Sequence, residues 1–429
     1  MSAPAVTLTK LLAWRPGGYL RASGVLFGWL TVRTAAQTAL FVLVARTLGA
    51  AGYGALIAAI AMAGLFSFAA MGGTSVLVRD GARHPDRLPE LIGDLLRSWA
   101  LTVPALCILA VGACALLLHD ALPISALISI VVAEVVCATA VDSVARLHQS
   151  QGRIRQMGAI SAGLILARLA TFGLLMPLTP WTVDSWAYGY FASSALYLAG
   201  LVTTNRQLFL GTRPSTTTMG TLVRQIFPFA FYNLTYKAHG EINKPATAHW
   251  AGLHGAGIFS VAHRCTDLVA FPTLALIEAM VPRIYQASTP LKAAATLGLA
   301  PLGLALLGGA LLINAASWLP LVLGSSYQNS VFVTQALAGL PALLVIRVVL
   351  GSVIAAFNLQ HLFLVVHGIG LAALIVSLWI LIPAFGIVGA VMAAYALEIF
   401  LIAGQLVPIY RHTRLVVAGA SDPDNLLRS

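Results

Sequence analysis

The sequence predicts an all-α polytopic membrane protein of about twelve transmembrane helices, arranged as two pseudo-symmetric six-helix bundles. Three observations carry that prediction. Hydrophobic residues make up 59% of the 429 and charged residues 9%, against roughly 25% charged in soluble proteins. There is too little polar material to cover a water-exposed surface, and the mean hydropathy of +0.89 agrees. Apolar runs of about 20 residues recur along the whole chain, each long enough to cross a hydrocarbon core of about 30 Å as a helix; a transmembrane barrel would show alternating segments of about ten residues instead. Finally, a glycine triplet recurs with the same spacing half a chain apart.

Taken in order, the chain begins MSAPAVTLTK and carries Lys10, Arg15 and Arg21 before any long apolar run. That order reads as a retained first span rather than a cleaved leader. Spans 1 to 12 are expected near 24–46, 54–78, 98–118, 122–145, 157–178, 185–205, 225–249, 256–281, 294–317, 330–357, 360–383 and 386–409. With the N-terminus inside, 18 of the 25 Lys and Arg fall in cytoplasmic segments. The outer loops LGAAGYG, HDALP, PLTPWTV, AGLHGAG and PAFG hold none, and Arg46 only borders the first. This one-sided distribution predicts that both termini are cytoplasmic. It also accounts for most of the net charge of +11 without invoking nucleic acid. Trp14, Trp181, Trp186, Trp250 and Trp318 lie near predicted span ends, where indole rings anchor at the interface. Every connection is short, so no loop has room for a soluble catalytic domain, and an enzyme is not expected.

The halves look duplicated. Gly49-x-x-Gly52-x-Gly54 follows span 1 and Gly252-x-x-Gly255-x-Gly257 follows span 7, an offset of 203 residues. Each triplet sits in a tight hairpin, where glycine supplies dihedrals other residues avoid. The span count divides six and six, and a connection with Arg213-Pro214 and a Ser/Thr run falls at the midpoint. The expected organisation is an N-terminal bundle over 1–206, a cytoplasmic linker over 207–224, a C-terminal bundle over 225–410 and a cytoplasmic tail over 411–429. Repeats of this kind are common in transporters, with the substrate site between them.

Six cations fall within spans: Arg33, Arg168, Lys237, Lys244, Arg264 and Arg347. The intramembrane acids are fewer: Glu134, Glu241, Asp267 and Glu398, with Asp142 and Glu278 near span ends. A central Arg or Lys facing lipid costs at least about 2.5–3.5 kcal/mol, so these residues must face partners or a watery cavity. Asn233, Lys237, Glu241 and Lys244, at i, i+4, i+8 and i+11, form one polar stripe on span 7. Pro245 removes the hydrogen bond to the Glu241 carbonyl and should kink that helix. Span 1 has a shorter stripe, Arg33 and Gln37. Two readings of these charges stand side by side. Lys237, Glu241 and Lys244 can neutralise one another, as can Arg264 and Asp267. Arg33, Arg168 and Arg347 have no acid within a turn on their own span and read as cavity-facing, with Glu134 open to Arg168 as a partner from the preceding span. The surplus of cations over acids suits an anionic substrate held by Arg forks and Lys point charges.

Other constellations say less. His249, His254 and His263 cluster near the outer ends of spans 7 and 8, where a pH-sensitive gate or plain interfacial histidines are the two readings. Cys107, Cys114, Cys137 and Cys265 fall inside apolar spans and read as small packing residues. No CxxC pair, metal site or cofactor is expected, and the Asp422–Asp424 pair in the tail is dismissed as a metal motif.

The run ARTLGAAGYGALIAAIAMAGLFSFAAMGGTSVLVRDGAR (45–83) resembles the opening signature of Wzx-type polysaccharide flippases of the multidrug/oligosaccharidyl-lipid/polysaccharide exporter superfamily. The segment ARLHQSQGRIRQMG (145–158) is similar to their span 4–5 loop, HWAGLHGAGIFSVAHR (249–264) to the second-half counterpart, and VLGSSYQNS (322–330) to the loop before span 10. The resemblance implies two six-helix bundles around a central cavity. It also implies translocation of an undecaprenyl-diphosphate-linked oligosaccharide across the bacterial inner membrane by alternating access, with polysaccharide polymerase machinery as a partner. On that reading Arg33, Gln37, Arg168, Lys237, Lys244, Arg264 and Arg347 are the substrate-binding candidates. Glu134, Glu241, Asp267 and Glu398 are candidates for charge pairing or for coupling to H+ or Na+. The alternative is a cation/drug antiporter of the same superfamily, which would be expected to lean on intramembrane acids.

Overall fold

The computed structural model describes residues 18–118, 120–175 and 181–417. Lys10, Trp14, Arg15 and the tail aspartates lie outside the described residues. Among those described, nine helices are long and apolar enough to cross a membrane, and the layout is twelve spans in two lobes. The difference has two causes. The helix Gly18–Leu65 contains two crossings, because Gly49 breaks it with φ 66°. The Phe41 and Tyr53 rings then lie 5.6 Å apart, where a straight helix would separate residues twelve positions apart by about 18 Å. Val183–Thr204 and Met219–Glu241 are too polar to count among the nine, and Asn243–Trp250, which completes span 7, is too short. Their polar side chains are turned inward instead: Ser193, Ser194, Asn243 and Lys244 are all buried.

Span 1 thus occupies 18–48 and span 2 runs from 50 to 83, with a break before Phe68. Spans 3, 4 and 5 are Pro85–Leu118, Ile124–Ser150 and Ile154–Leu174. After span 6 at Val183–Thr204 and span 7 at 219–250 come Gly252–Gln286, Pro290–Leu323, Ser330–Ala356, Gln360–Phe385 and Ile387–Arg414 as spans 8 to 12. An even number of crossings puts both described ends on one face, called here the terminal face; the glycine hairpins lie on the other, the turn face.

The glycine repeat has a structural meaning. Gly49 and Gly252 both adopt positive φ, 66° and 79°, which a side chain would strain. Gly54 and Gly257 instead bring the lobes together. A Cβ on Gly54 would lie 1.9 Å from the Leu253 carbonyl oxygen, and one on Gly257 would lie 1.9 Å from that of Ala50. Nearby, the buried Tyr327 hydroxyl donates to the Ala45 carbonyl at 3.0 Å. The largest apolar cluster crosses between the lobes here and is rich in alanine, as small residues permit close helix contact in a membrane. The turn face is therefore sealed.

Spans 2 and 7 also meet closely, with Gly72 against Ala230. The segment between the lobes is tied to span 3: the buried Asp94 carboxylate accepts from the Ser215 amide at 2.9 Å and its hydroxyl at 2.7 Å. Between spans 1 and 8 an apolar groove of about 1120 Å³ remains, lined by Phe27, Thr31, Thr34, Thr38, Leu268 and Phe271 among others. Trp186 is a correction: it is no interface anchor but is fully buried, its ring stacked 3.7 Å from Phe172.

Candidate functional site: a charged cavity between the lobes

Span 7 organises the interior. Its helix stops at Glu241 and resumes at Asn243, because Pro245 has no N–H for the Glu241 carbonyl. Glu241 is a shared wall of three cavities of about 300, 470 and 410 Å³. The first lies between spans 1 and 8 and takes Arg33, Gln37, Lys244, Arg264 and Asp267 into its wall. The second reaches into the first lobe, adding Glu134, Arg168 and Lys237. The third lies in the second lobe and is bounded by Lys237, Asp267, Arg347 and Glu398. All eleven candidate side chains thus border three cavities that share wall residues, although they come from spans 1, 4, 5, 7, 8, 10 and 12.

Their partners come mostly from other spans. Arg168 donates from Nη2 to Glu134 Oε1 at 3.3 Å and from Nε to Ser194 Oγ at 3.0 Å. Its guanidinium lies 3.8 Å from the Tyr190 ring centroid, and the Tyr190 hydroxyl donates to the same Glu134 oxygen. Glu134 sits on a π-helical turn, Val132–Ala138, a local rearrangement frequent at functional sites. Arg347 Nε binds Glu398 Oε2 at 2.6 Å, so this cation is paired across two spans rather than free. Lys244 Nζ donates to Glu241 Oε2 at 2.7 Å, one of the pairings the stripe allowed.

Two other pairings the sequence allowed are absent. Lys237 turns from Glu241 to donate to Ser67 Oγ at 2.9 Å, entering the space left by Gly64. Asp267 contacts His263 Nδ1 at 3.3 Å rather than Arg264, whose guanidinium lies 5.3 Å from the Phe41 ring centroid. A spacing of i, i+3 or i, i+4 allows two side chains to meet but does not compel it: span 2 offers Lys237 another partner, and the preceding turn of span 8 offers Asp267 one. Arg33 has no ion pair or hydrogen bond among the described residues. Of the three clustered histidines only His263 reaches the cavity; His249 and His254 are exposed near the turn face.

Charge balance follows. The cavities are walled by seven cations, the predicted six and Arg146, and by five carboxylates, the predicted four and Asp142. Four ion pairs cancel, including Arg146 with Asp142 at 2.8 Å. Arg33, Lys237 and Arg264 remain without a carboxylate, against Asp267. Among the described residues there is no cluster of three or more His, Cys, Asp or Glu fit for a metal ion.

Sequence reasoning missed Ser67, Tyr190, Ser194 and His263 as partners. A span hydroxyl can be satisfied by a carbonyl of its own helix, as Ser67, Ser193 and Ser194 are, so its presence marks no partner, and the spacing to Arg168 or Lys237 along the chain is arbitrary.

No protein-family model and no curated protein matches the chain. Solved structures do. An inward-facing multidrug resistance MATE family transporter of the MOP superfamily superposes with TM-score 0.66 at 14% identity, covering 91% of this chain and 96% of that one. The lipid II flippase MurJ in an inward closed conformation gives 0.71 at 12%, covering 91% and 87%. The MATE multidrug transporter DinF-BH gives 0.63 at 14%, covering 91% and 94%. The class this defines is a multi-pass, all-α membrane protein whose fold is similar to that of these solved structures. At these identities the likeness is one of fold.

Proposed function

We propose that the chain is a flippase that moves an undecaprenyl-diphosphate-linked oligosaccharide from the inner to the outer leaflet of the bacterial inner membrane by alternating access. The observation that carries the reading is the surplus of cations: Arg33, Lys237 and Arg264 point into cavities between the lobes with no carboxylate to neutralise them. A diphosphate supplies the missing charge, through charge-assisted hydrogen bonds worth roughly twice neutral ones. The apolar groove between spans 1 and 8 adjoins the first cavity, with Thr34, Thr38, Leu268 and Phe271 common to both. It lets a prenyl chain stay in lipid while its head group enters. With both termini cytoplasmic, as the basic loops indicate, the sealed turn face is the outer one and the cavity awaits cargo from inside. The bundles divide at the 207–224 linker, and the saccharide serves surface or exopolysaccharide assembly beside a polymerase.

The test is export. Replacing Arg33 and Arg264 together with Ala should abolish surface polysaccharide while the protein remains in the membrane; unchanged export would sink the reading. A cation/drug antiporter is the second reading, favoured by one observation: the Asp267 side chain is 63% exposed beside the cavity, and its one ion-pair contact is with a histidine. Efflux of a cationic dye lost in Asp267→Asn, with polysaccharide export intact, would select it. In a flippase the same carboxylate is the best placed to meet a coupling H+ or Na+.

A further inference from the structure

The cations account for a diphosphate but not for a saccharide, and the third cavity contains groups that the charge argument leaves unused. We propose that Tyr232 and Tyr236 form a stacking shelf for a pyranose ring of the cargo, with the Arg347–Glu398 pair as its hydrogen-bonding edge. The proposal rests on the flippase reading and deepens it.

Tyr232 and Tyr236 are one turn apart on span 7, with ring centroids 6.2 Å apart and planes inclined by only 19°. They are 43% and 69% exposed. Tyr236 walls the third cavity together with Arg347 and Glu398, and Tyr232 extends its stack one turn back along the helix. Lys237, the next residue, also borders this cavity but directs its ammonium to Ser67 on span 2.

Depth sharpens the point. Tyr236 is near the middle of 219–250, and neither tyrosine hydroxyl has a hydrogen-bond partner among the described residues. A hydroxyl left unpaired in hydrocarbon costs several kcal/mol, so these rings belong to a wet or ligand-filled space rather than to lipid. The ion pair beside them is also only half used. It engages Arg347 Nε and Glu398 Oε2. Both Arg347 Nη groups and Glu398 Oε1 have no hydrogen bond among the described residues, though these side chains are only 15% and 10% exposed.

A pyranose matches this set. Its ring has an apolar C–H face for parallel aromatic faces and a rim of hydroxyls that need donors and acceptors together. The spare Arg347 Nη groups can donate to that rim and Glu398 Oε1 can accept from it. An acyl chain would leave them unpaired. A planar cation would stack on the rings by cation–π attraction but would meet the Arg347 guanidinium alongside.

The experiment uses the full chain in nanodiscs and two probes: undecaprenyl diphosphate, and undecaprenyl diphosphate carrying N-acetylglucosamine. Because every pyranose has a C–H face, the single sugar suffices. The native protein should bind the sugar-bearing lipid more tightly. Tyr232→Ala with Tyr236→Ala should remove that preference, about tenfold, while leaving sugar-free binding unchanged, which also reports a folded protein. The paired Tyr→Phe variant should keep most of it. Equal binding of both lipids by the native protein overturns the shelf. So does an Ala pair that weakens both lipids alike, or that keeps the native preference. If the native protein binds neither lipid, the flippase reading itself fails.

Discussion

Gly54 and Gly257 hold the two lobes together through one reciprocal contact. Gly54 packs against the Leu253 carbonyl and Gly257 against the Ala50 carbonyl, and each partner is related to the other by the same 203-residue offset. The contact is isologous in the sense of a two-fold dimer interface, with one surface meeting its own repeat. Each glycine is required because a Cβ would sit 1.9 Å from a backbone oxygen, which cannot rotate away.

Gly54→Ala, or Gly257→Ala, should therefore part the lobes at the turn face. Overpacking of this kind costs about 1–3 kcal/mol. Thermal unfolding in detergent should begin at a lower temperature in either variant, and a cysteine placed at Ala50 should become more reactive to a water-soluble maleimide. A variant with native melting and an unreactive cysteine contradicts the contact.

The Arg347–Glu398 pair predicts a stability asymmetry. Arg347→Ala leaves Glu398 charged and nearly enclosed, an arrangement worth about 3–5 kcal/mol of destabilisation. Adding Glu398→Leu to Arg347→Met should recover much of the loss. Both are read from thermal midpoints, and a double variant no better than Arg347→Ala refutes a net-neutral pair.

Arg33 should behave in the opposite way. It is exposed to the cavity and has no partner, so Arg33→Ala should leave the melting temperature within experimental scatter. Binding of undecaprenyl diphosphate should weaken by about tenfold, the scale of one lost charge-assisted hydrogen bond. The native affinity should also fall with added salt and the variant's less steeply. Unchanged affinity in titrations at low salt would remove Arg33 from the site.

The link between the lobes depends on Asp94. Its carboxylate takes both the amide and the hydroxyl of Ser215, and Arg97 donates to the Thr217 carbonyl at 3.1 Å. Asp94→Ala should release residues 207–218, seen as faster cleavage there by a broad-specificity protease. Equal cleavage of variant and native protein would show that the strap is held elsewhere.

Membrane residence, the helical class and the internal repeat were legible from residues alone, for a shared reason. Hydrocarbon penalises charge and unpaired backbone so heavily that composition and run length must report them. The same penalty marked the eleven polar and charged side chains that border the cavities, because no lipid-facing position would tolerate them. Gly49 and Gly252 were marked by the dihedral requirement of a tight reversal, which is local. What each charge does is not local. Lys237 chose Ser67 over Glu241, and Arg347 found Glu398 from 51 residues away. Those choices depend on distances between spans, and spans far apart in sequence are brought side by side only by the packing of small residues such as Gly54, Gly64 and Gly72. Sequence alone thus determined which residues must avoid lipid. Tertiary packing decided which of them cancel, and so left Arg33, Lys237 and Arg264 as the cations still lacking a carboxylate.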